Sequence, residues 1–142
     1  MSNKLPPAKL IAKAALFNEK GEILILRRST TDKIRPGELD LVGGSIDEGE
    51  SPLEAVLREI NEEAGLTLHQ DDVELAYSAT DYFEGVNRVR FLYIGTVHGN
   101  PSITLSYEHD LHEWMPLQQV FEQFSHPVWV EGLRYLAKHN LI

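Results

Sequence analysis

Residues Gly44 to Leu66 read GSIDEGESPLEAVLREINEEAGL, and this stretch predicts a loop, a helix and a loop. Ser51 is a good N-cap, Pro52 suits the first helical position, and Glu54 stands three residues after Ser51, as a capping box requires. The helix should run from Pro52 to Ala64, where Gly65 supplies a residue that turns left-handed and stops it. At about 100° per residue, Leu53, Val56, Leu57, Ile60 and Ala64 fall on one arc and should face the core. Glu59, Glu62 and Glu63 fall on a neighbouring arc, at i, i+3 and i+4, the spacings that face one another on a helix. Three carboxylates so placed repel and need compensation. Arg58 can reach Glu62 at i+4 or Glu54 at i−4, and a hard divalent cation is the better neutraliser, since Mg²⁺ prefers one or two carboxylates, water and phosphate oxygens. A merely solvated acidic face is the ordinary alternative.

The same residues fit G-x5-E-x7-R-E-U-x-E-E-x-G-U, with U a bulky aliphatic. Gly44, Glu50, Arg58, Glu59, Ile60, Glu62, Glu63, Gly65 and Leu66 fill every defined position. From average residue usage, a chance fit at one starting point is roughly 10⁻⁹ to 10⁻¹⁰. The stretch resembles the Nudix box.

That resemblance implies an α/β fold, an α/β/α sandwich with a mixed central sheet. It also implies hydrolysis of a diphosphate bond in a nucleoside diphosphate linked to X, with Mg²⁺ or Mn²⁺ polarising the phosphate and the water. Carried across by position, Glu62 and Glu63 resemble the metal-binding pair, and Glu59 a further ligand or the base. Arg58 resembles the residue that orients a catalytic glutamate, and the Gly43 carbonyl a ligand. Glu50 is similar to the box glutamate that supports the loop or a second metal. Some members of the family take their base from a later loop. Here Glu108 is that candidate, because ITLSYEHDLHEW (103–114) resembles the S-x-E-H-x-x-x-x-W stretch of several subgroups, diadenosine tetraphosphate hydrolases among them. His109 and His112 read as ordinary histidines of a polar loop. Many relatives have W-x-x-P-G-G before the box, where this chain has Leu39-Asp40-Leu41-Val42-Gly43-Gly44. Losing the proline should make that turn less rigid, but no carboxylate is affected.

With 142 residues, 42% hydrophobic, one domain is the natural count. A net charge of −9 argues against a nucleic-acid partner, and bound metal would have to invert the local field for a polyphosphate. The chain has no cysteine, which excludes disulfides, thiolate catalysis and zinc–thiolate sites. Met1 to Pro7 has no apolar leader and no run reaches membrane-spanning length, so a cytoplasmic protein with no membrane partner is the expectation.

Outside the box, strands are expected at 10–18, 22–28, 39–42, 73–83 and 88–97, with 102–107 and 112–115 extended and interrupted by Glu108-His109-Asp110. The first two should form a hairpin around Glu19-Lys20-Gly21. Helices are expected at 117–124 and 127–139. Arg27, Arg28, Lys33 and Arg35 make the densest basic stretch, suited to clamping substrate phosphates. Only one of Arg27 and Arg28 should face the site. Tyr82 and Phe83 are candidates for stacking on a base, although core packing is the commoner use of such residues. Trp129 and Tyr135 read as core.

Within the resemblance, a nucleoside triphosphate or a modified one such as 8-oxo-dGTP leads as substrate. Dinucleoside polyphosphates, then ADP-ribose or nucleotide sugars, follow. Two other readings remain. Pro36-Gly37-Glu38-Leu39-Asp40 fits the P-G-x-L-D of isopentenyl diphosphate isomerases, but that chemistry usually uses a cysteine. A non-catalytic nucleotide-binding regulator would tend to have an eroded box, and this one is intact. Many Nudix proteins pair as homodimers, but nothing in the sequence marks a surface for it.

Overall fold

The structure, a computed structural model, describes residues 7–142; Met1 to Pro6, part of the N-terminal stretch discussed above, lie outside the described residues. The elements are β1 (Ala8–Phe17), β2 (Ile23–Arg28), β3 (Leu39–Asp40), β4 (Val42–Ser45), α1 (Pro52–Ala64), β5 (Val73–Phe83), β6 (Val86–Thr96), β7 (His109–Met115), α2 (Leu117–Gln123) and α3 (Pro127–Lys138), with a short 3₁₀ turn at Gln70–Asp72.

Among the described residues seven strands form one mixed sheet. Its path is β3-β2-β1-β6-β5, with β4 also paired to β1 and β7 to β2. β1 and β6 run parallel along their whole length, and the other pairs are antiparallel. The expected β1–β2 hairpin exists only at its mouth, where Phe17 faces Ile23. Beyond that pair the strands part. β4 takes over the ladder of β1 from Ala14 to Ile11, while β2 pairs with β3 and β7. The sheet is therefore split next to the box.

Side-chain alternation divides the core into two layers. Ala12, Ala14, Leu16, Leu24, Leu26 and Val42 pack under Val56, Ile60 and Ala64 of α1. Ala15, Ile23, Ile25, Leu41 and Leu92 pack under Val120 of α2 and Trp129, Leu133 and Leu136 of α3. This is the expected sandwich. The arc expected of α1 is seen too: Val56, Ile60 and Ala64 are buried and Leu53 and Leu57 lean on the same cluster. Cutting the fully buried Ile60 to alanine would cost about 2–5 kcal/mol.

The caps of α1 are as expected. Ser51 Oγ accepts from the Glu54 N–H and Glu54 Oε1 from the Ser51 N–H, both at 3.1 Å. Gly65 closes the helix at φ 70°, its N–H bonded to the Asn61 carbonyl. Three expectations need correction. Residues 102–107 form no strand: Thr104 N–H bonds the Ala64 carbonyl at 2.9 Å and Ile103 and Leu105 pack on the α1 layer, so this segment is tied to a helix end instead of a sheet edge. Conversely, His109 and Asp110 do not interrupt β7 but begin it, with an irregularity opposite Arg27 and Arg28. Tyr135 is half exposed, stacked on Tyr77 and in tilted contact with His139, although Trp129 is core.

Candidate active site

The site is built where β4 runs into the loop before α1. Gly43 has φ 130°, and a Cβ there would lie 2.3 Å from the Ala12 carbonyl oxygen, so only glycine lets β4 lie this close to β1. A Cβ on Gly44 would meet the Glu59 carboxyl at 3.0 Å; the missing side chain makes the cradle in which that carboxylate rests.

Arg58 is the hub. Its Nε and Nη2 grip Glu50 at 2.6 and 2.9 Å, a two-pronged contact that suits the guanidinium fork. Its Nη1 donates to Glu59 Oε1 and Glu62 Oε2, both at 3.1 Å. Nη2 also reaches the Ser45 carbonyl at 3.2 Å and the Asp47 carboxylate at 3.3 Å. Glu54 is no partner, because its carboxylate is spent on the cap. One arginine thus ties the loop to the acidic arc. The contact with Arg58 holds Glu50 below the usual carboxylate range and raises Arg58 itself, with the Glu50 bonds the largest cause.

The other two acids lie deeper. Burial pushes Glu59 upward against the pull of Arg58, and the charges of Glu62 and Glu108 push the same way. Glu63 is buried, 3% exposed. Its Oε1 accepts from the Gly43 N–H at 2.8 Å. Burial lifts it to about 7 in spite of Lys13 and that hydrogen bond.

These donors fit a hard divalent cation. They are all carboxylate oxygens, two of them on one Arg58 nitrogen, and the buried ones carry charge that their surroundings only partly offset. Among the described residues no three acidic or histidine side chains already converge as a closed cage. Glu59 and Glu62 would have to turn from Arg58 to take the ion.

Glu108 is exposed at the start of β7; its carbonyl accepts from the Ser29 N–H at 2.8 Å, and its charge is felt at Glu59. The basic stretch is largely engaged. Arg28 is held by Asp32 at 2.6 Å and Asp40 at 3.2 Å, Arg27 by Asp110 at 2.8 Å, and Arg35 only loosely by Glu38 at 3.8 Å. Tyr82 and Phe83 are not core. They stand exposed at the tip of the β5–β6 hairpin, with the Arg88 guanidinium over the Phe83 ring.

Sequence reading missed a buried ionic cluster behind the loop. Lys13 Nζ pairs with Asp40 at 2.9 Å, Arg28 holds the other Asp40 oxygen, and His109 Nε2 lies 3.9 Å away. Burial opposes the Asp40 charge, but Lys13, His109 and Arg28 more than offset it and hold the carboxyl well below its usual range. His109, expected in a polar loop, is buried with neither ring nitrogen hydrogen-bonded. The available signal was a lysine amid the apolar run LIAKAAL, since a charge on a core strand needs a partner. At the start of α3, His126 is likewise half-buried; burial, Arg90 and Arg35 lower it to about 4. A cleft of about 600 Å³, lined by Phe17, Asp72, Ile94 and Leu141 among others, contains none of the box acids.

A family model described as NUDIX domain matches residues 8–136. An 8-oxo-dGTP diphosphatase of Escherichia coli (strain K12) is 44% identical over 57 residues, 40% of this chain and 43% of the relative. An RNA pyrophosphohydrolase of Acidiphilium cryptum is 44% identical over 54 residues, 38% of this chain and 33% of the relative. Each match spans less than half the relative's length. Among solved structures, a MutT protein from Methanosarcina mazei superposes with a TM-score of 0.82 at 26% identity, covering 97% of this chain and 99% of that one. A C. elegans Ap4A hydrolase superposes at 0.75 and 21% identity, covering 94% and 98%, a likeness of fold. With the box seated on its capped helix and the family model covering both core layers from β1 into α3, the chain belongs to the Nudix family.

Proposed function

We propose that the chain is a metal-dependent pyrophosphohydrolase of nucleotides, with a nucleoside triphosphate or a modified one such as 8-oxo-dGTP as its leading substrate. The observation that carries this reading is the shared grip of Arg58 on Glu59 and Glu62 beside the buried Glu63. Such a grouping makes sense as a cation and phosphate site and is costly otherwise. Bound Mg²⁺ or Mn²⁺ would polarise the phosphate oxygens and lower the pKa of the attacking water. Glu59, Glu62 and Glu63 are the protein ligands in this proposal. Arg58 sets the position of Glu59 and Glu62, and Glu59 or Glu108 takes the proton from water. Arg35, the least tightly paired of the three candidate arginines, is best able to meet a substrate phosphate. The 8-oxo-dGTP diphosphatase relative, aligned over part of its length, supports the substrate choice.

A second reading, a dinucleoside polyphosphate, is favoured by one feature. Tyr82 is 68% exposed and free to stack on a second base.

The test is a panel of nucleotides with Mg²⁺ or Mn²⁺, assayed for phosphate and pyrophosphate. Turnover of a triphosphate that is lost in Glu62→Gln and Glu63→Gln supports the leading reading. Tight nucleotide binding without turnover would favour a regulator, and turnover confined to dinucleoside polyphosphates would favour the second reading.

A further inference from the structure

Lys13 lies in the middle of β1 and is 6% exposed. Its Nζ has three partners: Asp40 Oδ1 at 2.9 Å, the Leu41 carbonyl at 3.1 Å and the Gly43 carbonyl at 3.2 Å. An ammonium has three N–H donors, so this one is saturated by the protein and is not a spare hand for substrate. The strand register sets Lys13 opposite Gly43, and the close approach allowed by Gly43 brings the ammonium onto its carbonyl. The same Gly43 gives its N–H to Glu63. Asp40 does not cancel the Lys13 charge alone, since its second oxygen is shared with Arg28. The carbonyl that the box resemblance assigns to a metal therefore already carries a cation, one that is covalently part of the chain.

We infer that Lys13 is a resident cation of the site. Its ammonium stands in for a divalent ion at the Gly43 carbonyl, so the exchangeable metal is held from the Glu59 and Glu62 side and the chain has one divalent position fewer than its donors alone would make. This inference rests on the metal-dependent reading above. The physical reason is repulsion. An ammonium and a divalent ion sharing one carbonyl oxygen would sit within about 5 Å, where their Coulomb energy is many times thermal energy even at an effective dielectric constant of about 20.

The test is a titration of the full chain with Mn²⁺ and no nucleotide, following free Mn²⁺ by electron paramagnetic resonance. It compares the wild type with Lys13→Met and with Lys13→Met/Asp40→Asn, the latter because removing one partner of a buried pair strands the other. The expected result in a folded variant is one additional ion per chain, or a tightest site about tenfold tighter. Equal stoichiometry and affinity in wild type and folded variant overturns the role of Lys13; if wild-type turnover still needs Mn²⁺, the hydrolase reading stands. No Mn²⁺ bound to any form overturns both. Manganese anomalous scattering from wild-type crystals asks the same question without a variant. An ion on the carboxylates alone supports the inference, and an ion on the Gly43 carbonyl oxygen overturns it.

Discussion

Glu63 and Gly43 are joined by a hydrogen bond of 2.8 Å from backbone N–H to Oε1, across twenty residues of chain. It fastens the most deeply buried box carboxylate to the glycine turn that brings β4 against β1.

The first prediction concerns the protonation of Glu63. The fold raises Glu63 from 4.5 to about 7. The folded chain therefore holds this proton more tightly than the unfolded one. The resulting stability is fully present below pH 4.5 and is lost as pH rises through 7, a change of about 3 kcal/mol. In metal-free protein Glu63→Gln removes that slope, so the variant should be the more stable of the two above pH 7. Mn²⁺ should restore the wild type and not the variant. Urea denaturation between pH 5 and 8, with chelator and with Mn²⁺, measures both, and parallel curves would refute the account.

Two neighbouring glycines should behave differently. At Gly43 an alanine Cβ meets backbone at 2.3 Å and the φ is 130°, so Gly43→Ala should fail to fold or lose several kcal/mol. At Gly44 the obstacle is the end of the Glu59 side chain at 3.0 Å, which can move. Gly44→Ala should keep its fold within about 1 kcal/mol while turnover falls about 10²-fold through a misplaced carboxylate. Thermal melts beside kcat measurements separate the two outcomes; equal damage to fold at both positions contradicts this geometry.

Arg58→Ala strips Glu50, Glu59 and Glu62 of their common partner. Bonds of this charged kind contribute about 1.5–3 kcal/mol, partly recoverable because a divalent ion can replace the lost positive charge. The variant should be destabilised without metal, regain much of the loss in millimolar Mg²⁺, and still turn over at least ~10²-fold more slowly. Full activity in the presence of Mg²⁺ would remove Arg58 from any positioning role.

Under the proposed mechanism Glu59 and Glu108 are the two candidates for the base, near enough for the charge of Glu108 to raise Glu59. Glu108→Gln should lower kcat about 10²- to 10⁴-fold with little effect on KM or stability if it is the base, since its side chain is exposed. An unchanged rate assigns the proton to Glu59. The pH–rate profile supplies a second reading, because removing the base also removes the acidic limb.

Much of the fold was legible because local rules and global packing agree. The Ser51 cap, the apolar arc from Val56 to Ala64 and the Gly65 stop are properties of sequence neighbours. The clustering of Glu59 and Glu62 also follows from helix periodicity alone. The segment 102–107 escaped because its partner is the end of α1, about forty residues back, and no local pattern signals such a tether. Tyr135, expected in the core and found half exposed, was misjudged for a related reason. An aromatic residue on a strand or helix has a periodicity, but exposure depends on what covers it.

The sequence by itself determined the helix, its caps, its acidic arc and the alternation that makes two core layers, since each follows from residues a few positions apart. Only the tertiary structure decided that β4 would part β1 from β2, that Glu63 would be buried on Gly43, and that Lys13 and Asp40 would meet beneath them. Those contacts join residues 20 to 34 positions apart in the chain, where burial and close backbone approach, not local preference, set which charges face one another.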